Sequence, residues 1–130
     1  GSGVGDVKEQ VKKNGRETVE EVKEDLKGKA KEQADKLLLE AKKQADKIRA
    51  EGKNAAQKVR DEGTKQANDL KNKGGNFLEK KANEVAAKQV EKQAQKQALN
   101  VEKEANKRAD AVEAKAKKEA DKIMADVAKK

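Results

Sequence analysis

Along most of this chain the large apolar residues return at every eleventh position. In the first half they are Leu26, Leu37, Ile48, Val59 and Leu70. Four residues after each comes a small one: Ala30, Ala41, Gly52, Gly63 and Gly74. Four further on lie Ala34, Ala45, Ala56, Ala67 and then Leu78. A second register follows, with Val90, Ala94 and Ala98, then Val101, Ala105 and Ala109, then Val112, Ala116 and Ala120, then Ile123 and Val127. Spacings of four, four and three keep these residues on one helix face. Eleven residues in three turns is about 3.67 per turn, which predicts a coiled coil that runs straight or with a slight right-handed supercoil.

The small residues define the seam as much as the period does. Ala and Gly let a partner helix approach toward the short end of the usual range of about 8–10 Å. Gly52, Gly63 and Gly74 would each cost about 1 kcal/mol relative to Ala in an exposed helix. Their regular placement on the stripe points to close packing; the plainer alternative is two tolerated mid-helix glycines and one cap.

The two registers do not join. Continuing the first would put large residues at Lys81 and Lys92, whereas the second puts them at Val90 and Val101. A slip of two residues turns the stripe by about 200°. It falls near Lys73-Gly74-Gly75-Asn76, the strongest turn signal in the chain. The prediction is an all-α fold, a long antiparallel helical hairpin turning at Gly74 and Gly75. Its expected parts are a flexible start or cloning scar at 1–5, a first helix at 6–72, a turn at 73–76 and a second helix at 77–129. Asn14-Gly15 is a candidate break in the first helix; with no strong cap at Arg16 or Thr18, a helix continuous through Gly15 is the alternative. The competing arrangement is one continuous helix, with Leu78, Ala82, Ala86, Val90, Ala94 and Ala98 carrying the stripe around it.

Composition narrows the chemistry. Of 130 residues, 45% are charged and 33% hydrophobic, and alanine supplies nearly half of the hydrophobic set. Such a chain cannot build a conventional core, because burying Ala returns far less than burying Leu or Phe. Low hydrophobicity with high charge argues for disorder; absent Pro and abundant Ala, Lys, Glu and Gln argue for helix. Cys and His are absent, which removes thiol nucleophiles, imidazole bases and the usual zinc ligands. No transmembrane or signal segment is expected, since no stretch reaches the length of about eighteen apolar residues.

No catalytic, cofactor or metal site is expected. The carboxylates have lysines three or four residues away, as in Glu40/Lys36, Glu62/Lys58 and Glu84/Lys80, the pattern of a solvated helix face. The cluster Glu20, Glu21, Glu24 and Asp25 reads as an acidic first turn, with weak divalent binding as the sharper alternative. The net charge of +8 raises nucleic acid, but basic groups are interleaved with acids and stacking aromatics are absent. Non-specific phosphate contact fits; sequence-specific reading does not. A lipid interface calls for a bulkier apolar face than Ala, Gly and Val provide, which leaves weak membrane-surface contact.

The units QADKIRAEGKN and AAQKVRDEGTK resemble the eleven-residue repeats of group 3 late embryogenesis abundant proteins. That resemblance implies protection of membranes and proteins during drying. The run from Ala34 to Leu70 also resembles the right-handed, Ala-rich stalk helices of rotary ATP synthases, which implies an elastic strut. The expected function is a non-enzymatic structural or interaction protein, self-associating or pairing with another helical protein through its seam. A stress protectant and a holdase-like helical chaperone are the alternatives.

Overall fold

The computed structural model describes the backbone of residues 2–128 and the side chains of residues 19–128. The described residues form two helices, α1 (Ser2–Lys71) and α2 (Phe77–Ala128), without strands. They pack as an antiparallel hairpin, so the single continuous helix is excluded. Helix α1 begins before the expected position 6 and runs through Asn14-Gly15 without a break. Glu20, Glu21, Glu24 and Asp25 therefore lie well inside α1 and not in its first turn.

The reversal is built from backbone conformation. Gly74 (φ 70°) and Gly75 (φ 117°) occupy the left-handed region that side chains with a Cβ disfavour. At the end of α1 the Asn72 N–H donates to the Asn68 carbonyl at 2.9 Å. Asn76 then caps α2: its Oδ1 accepts from the Glu79 N–H at 2.8 Å, while its carbonyl accepts from the Lys80 N–H at 2.9 Å. A side chain that satisfies an otherwise free N–H starts the second helix at a defined residue.

The chain divides into two compact units. One is Ala41–Ala114, which holds the turn; the other joins Gly1–Glu40 with Lys115–Lys130. In the first, Ala41, Ala45, Ala56 and Ala67 of α1 are buried, as are Ala87, Ala94, Ala98 and Ala109 of α2. In the second, the buried residues are Ala30, Ala34, Ala116 and Ala120. Every buried hydrophobic residue described is alanine, and no larger side chain is fully buried. The large stripe residues Leu37, Ile48, Val59, Leu70, Val90, Val101, Val112 and Ile123 are half-buried, as is Ala105. Helices this close have room between them for methyl groups and leave the branched side chains along the margins.

Three stripe assignments change. Leu78 is 76% exposed, so the first register does not continue past the turn. The buried face of α2 begins at Ala87, eleven residues before Ala98, which extends the second register backward. Leu26 is also exposed, unlike its repeat partners at 37, 48, 59 and 70.

Candidate functional site

The unit Ala41–Ala114 contains three surfaces: the seam, a charged flank and an apolar flank. At the seam Gly52 lies against Ala105 and Gly63 against Ala94. A Cβ added to either glycine would overlap the Cβ of the facing alanine. Eleven residues forward on α1 thus match eleven back on α2, an antiparallel register on the repeat itself. The two mid-helix glycines are close-approach positions. Gly74, the third stripe glycine, is not a close-approach position: it lies in the turn, and an added Cβ there, as at Gly28, would meet nothing within 4 Å.

Successive residues project about 100° apart, so Ile48 and Arg49 lie on opposite sides of the Gly52 line. Arg49 heads a charged flank. Its Nη1 donates to Glu113 Oε1 at 2.7 Å, and its Nη2 donates to Asp110 Oδ1 at 2.9 Å. Eleven residues on, Arg60 donates from Nη1 and Nη2 to Glu102 Oε1, both at 3.2 Å, and from Nε to Gln95 Oε1 at 2.9 Å. Eleven further, Lys71 Nζ lies 3.7 Å from Glu91 Oε1. The cations 49, 60 and 71 all belong to α1, and the anions 113, 102 and 91 all belong to α2. Hydrogen bonding to Glu113, then Asp110, raises the Arg49 pKa above its ordinary value against weaker desolvation. A raised folded-state value favours folding at every pH below the unfolded value, so this arginine keeps its charge and its contribution across the working range.

Sequence reasoning did not find this ladder, although its signal is present. Each cation directly follows Ile48, Val59 or Leu70, and each anion directly follows Val112, Val101 or Val90. Of the expected intrahelical pairs at spacing three or four, Glu84 closes with Lys81 at 3.6 Å, whereas Glu40/Lys36, Glu62/Lys58 and Glu84/Lys80 do not come within 4.0 Å.

On the other flank are two open grooves. One, beside Gly63 and Ala94, is lined by Val59, Val90 and the row Gln89, Gln93 and Gln97. The second, beside Gly52 and Ala105, is lined by Ile48, Val101 and Ala55 with Glu51, Glu104 and Arg108. Branched apolar side chains that the seam leaves half-exposed therefore collect on this side.

Among the described residues no three carboxylates converge as a metal site, and no polar or charged side chain is buried. No described helix is long and apolar enough to cross a membrane. Compared with protein-family models, curated proteins and solved structures, the chain matches none.

Proposed function

We propose that the chain is a non-enzymatic structural or interaction module: a helical-hairpin strut, held closed by its Ala/Gly seam, that associates with itself or with another helical protein. The observation that supports this reading most is the division of labour in Ala41–Ala114. The small residues are spent inside the hairpin, as at Gly52/Ala105 and Gly63/Ala94, while Ile48, Val59, Val90 and Val101 remain half-buried beside open grooves. A helix with an unfilled apolar margin gains from a further helix laid along it. Light scattering with thermal melts over a roughly hundredfold concentration range tests self-association. A mass above the 14.2 kDa monomer and a melting temperature that rises with concentration are expected. A monomer with a concentration-independent melt would leave only the heterotypic partner.

A second reading, the stress protectant, is favoured by one observation: no side chain larger than alanine is fully buried. Such a hairpin gains little per residue from folding, since a methyl-sized group contributes about 0.8 kcal/mol. It would be disordered when dilute and helical when dried or bound. Far-ultraviolet circular dichroism in dilute buffer separates the two, because the strut is helical there and the protectant is not.

A further inference from the structure

The end of the hairpin carries chemistry that the shaft does not use. The chain has one aromatic residue, Phe77, and it stands 73% exposed at the first position of α2. Its neighbour Leu78 is 76% exposed, and Val85, two turns on along the Leu78 side, is 62% exposed. Phe77 and Leu78 are the most exposed large hydrophobics described; in Ala41–Ala114 the others are Val85, about 10 Å further along α2, and Leu99. Exposed apolar residues gathered at one spot mark an interaction site more strongly than scattered ones.

Around them the charge is predominantly positive. Lys71, Lys73, Lys80 and Lys81 lie within eleven residues, opposed in that segment only by Glu79. Lys71 and Lys81 are partly occupied, at 3.7 Å from Glu91 and 3.6 Å from Glu84, whereas Lys73 and Lys80 have no acidic partner within 4.0 Å. The Lys81 ammonium lies 5.6 Å from the centre of the Phe77 ring, so cation and aromatic share one surface. Gly74 and Gly75 supply the positive-φ turn that puts Phe77 and Leu78 at the extremity of the unit.

We infer that this tip docks on an anionic lipid surface, with Phe77 and Leu78 entering the headgroup–acyl boundary and Lys73, Lys80 and Lys81 meeting lipid phosphates and carboxylates. Charge complementarity selects this occupant: a basic apolar protrusion fits a negatively charged plane that yields to it. Apolar insertion and electrostatic attraction then act together. The long lysine stems keep the ammonium groups at the headgroup level while the ring is immersed. This contact uses the tip and leaves the seam, the ladder and both grooves untouched, so it holds whichever partner the shaft takes.

The test uses the full chain with vesicles of phosphatidylcholine alone, or with about one-third phosphatidylserine. Because the chain has no Trp, Phe77→Trp creates a single fluorescent reporter at the tip. The expected results are a blue shift on anionic vesicles only and a fall in partitioning of about tenfold or more for Phe77→Ser/Leu78→Ser. Lys73→Gln and Lys80→Gln should each weaken binding about fivefold at low salt, and Leu99→Ser should leave it unchanged. Binding without a blue shift would overturn the inference in favour of diffuse attraction to the +8 chain. Equal losses in the Leu99 variant, or equal binding to neutral vesicles, would overturn it too. Absence of vesicle binding, with a mass in solution that falls in Phe77→Ser/Leu78→Ser, would reassign the tip to a protein contact. The reporter's emission is read on the folded chain, so the outcome does not hang on the serine variants folding.

Discussion

Three glycines in α1 separate the close-approach seam from simple helix propensity. Replacing a mid-helix glycine by alanine favours the helix by about 1 kcal/mol. At Gly28 nothing lies within 4 Å of the new Cβ, so Gly28→Ala should stabilise by that amount. At Gly52 the new Cβ overlaps the Ala105 Cβ and lies 3.8 Å from its Cα; at Gly63 it overlaps the Ala94 Cβ and lies 3.7 Å from its Cα. Neither obstacle is the free end of a flexible side chain, so the helices must separate. Overpacking of this kind costs about 1–3 kcal/mol. Gly52→Ala should therefore fall below Gly28→Ala by about that margin, or roughly 3–10 °C in melting temperature for a chain of this size. The two seam sites are about 16 Å apart along α1, far enough for Gly52→Ala and Gly63→Ala to add. The decisive variant exchanges partners. Gly52→Ala with Ala105→Gly restores the space and leaves helix propensity nearly unchanged, so it should melt close to the parent. If Gly52→Ala melted as high as Gly28→Ala, or the exchange failed to rescue, the close seam would be refuted.

Spin labels at Ile48 and Val101, which line one groove, should report a short intramolecular distance; about 80 Å would be required if the helix ran straight between them. Gly75→Ala should destabilise by about 1–2 kcal/mol, because φ is 117° and the added Cβ meets the Glu79 side chain; an unchanged urea midpoint would contradict that. Asn76→Ala should cost about 1 kcal/mol through loss of the cap on the Glu79 N–H, measured in the same denaturation. Arg60→Glu should destabilise, and Arg60→Glu with Glu102→Arg should recover most of the loss. The coupling should be no more than about 1 kcal/mol and shrink in high salt, since both groups are partly exposed.

The hairpin was legible because three signals coincide: an eleven-residue period, a two-residue slip and Gly74-Gly75 at the slip. Periodicity reports which residues share a face, and for Ala45, Ala56, Ala67, Ala98 and Ala109 that face is fully buried. It does not report where the face stops. Leu78 fits the first period by position, yet it follows the reversal at Gly74-Gly75, which breaks phase with α1. At the start of α1 the sequence leaves two readings open, a break at Asn14-Gly15 or a helix continuous through it. Asn-Gly carries a cap signature but no strong cap follows, and α1 is continuous there. The ladder was missed because charges were compared along each helix, at spacings of three and four. Ion pairing between helices follows the eleven-residue period, so Arg49, Arg60 and Lys71 have to be read against Glu113, Glu102 and Glu91.

That ladder does what the seam cannot. An Ala/Gly stripe is nearly indifferent to its partner, because a methyl surface on α1 fits another α1 as well as it fits α2. Charge removes the ambiguity. Pairing α1 with α1 would bring Arg49, Arg60 and Lys71 toward one another, and pairing α2 with α2 would do the same to Glu91, Glu102 and Glu113. Only α1 against α2 sets opposite signs together at all three levels. The ladder still permits a slip of eleven residues, after which Arg49 would meet Glu102 and Arg60 would meet Glu91. The turn forbids that slip, since only Asn72–Asn76 join the helices and the Asn76 cap pins the first residue of α2. Close approach, choice of partner and register are thus set by different residues. A substitution at Gly52, Arg60 or Asn76 should accordingly disturb distance, pairing or alignment, each largely without the others.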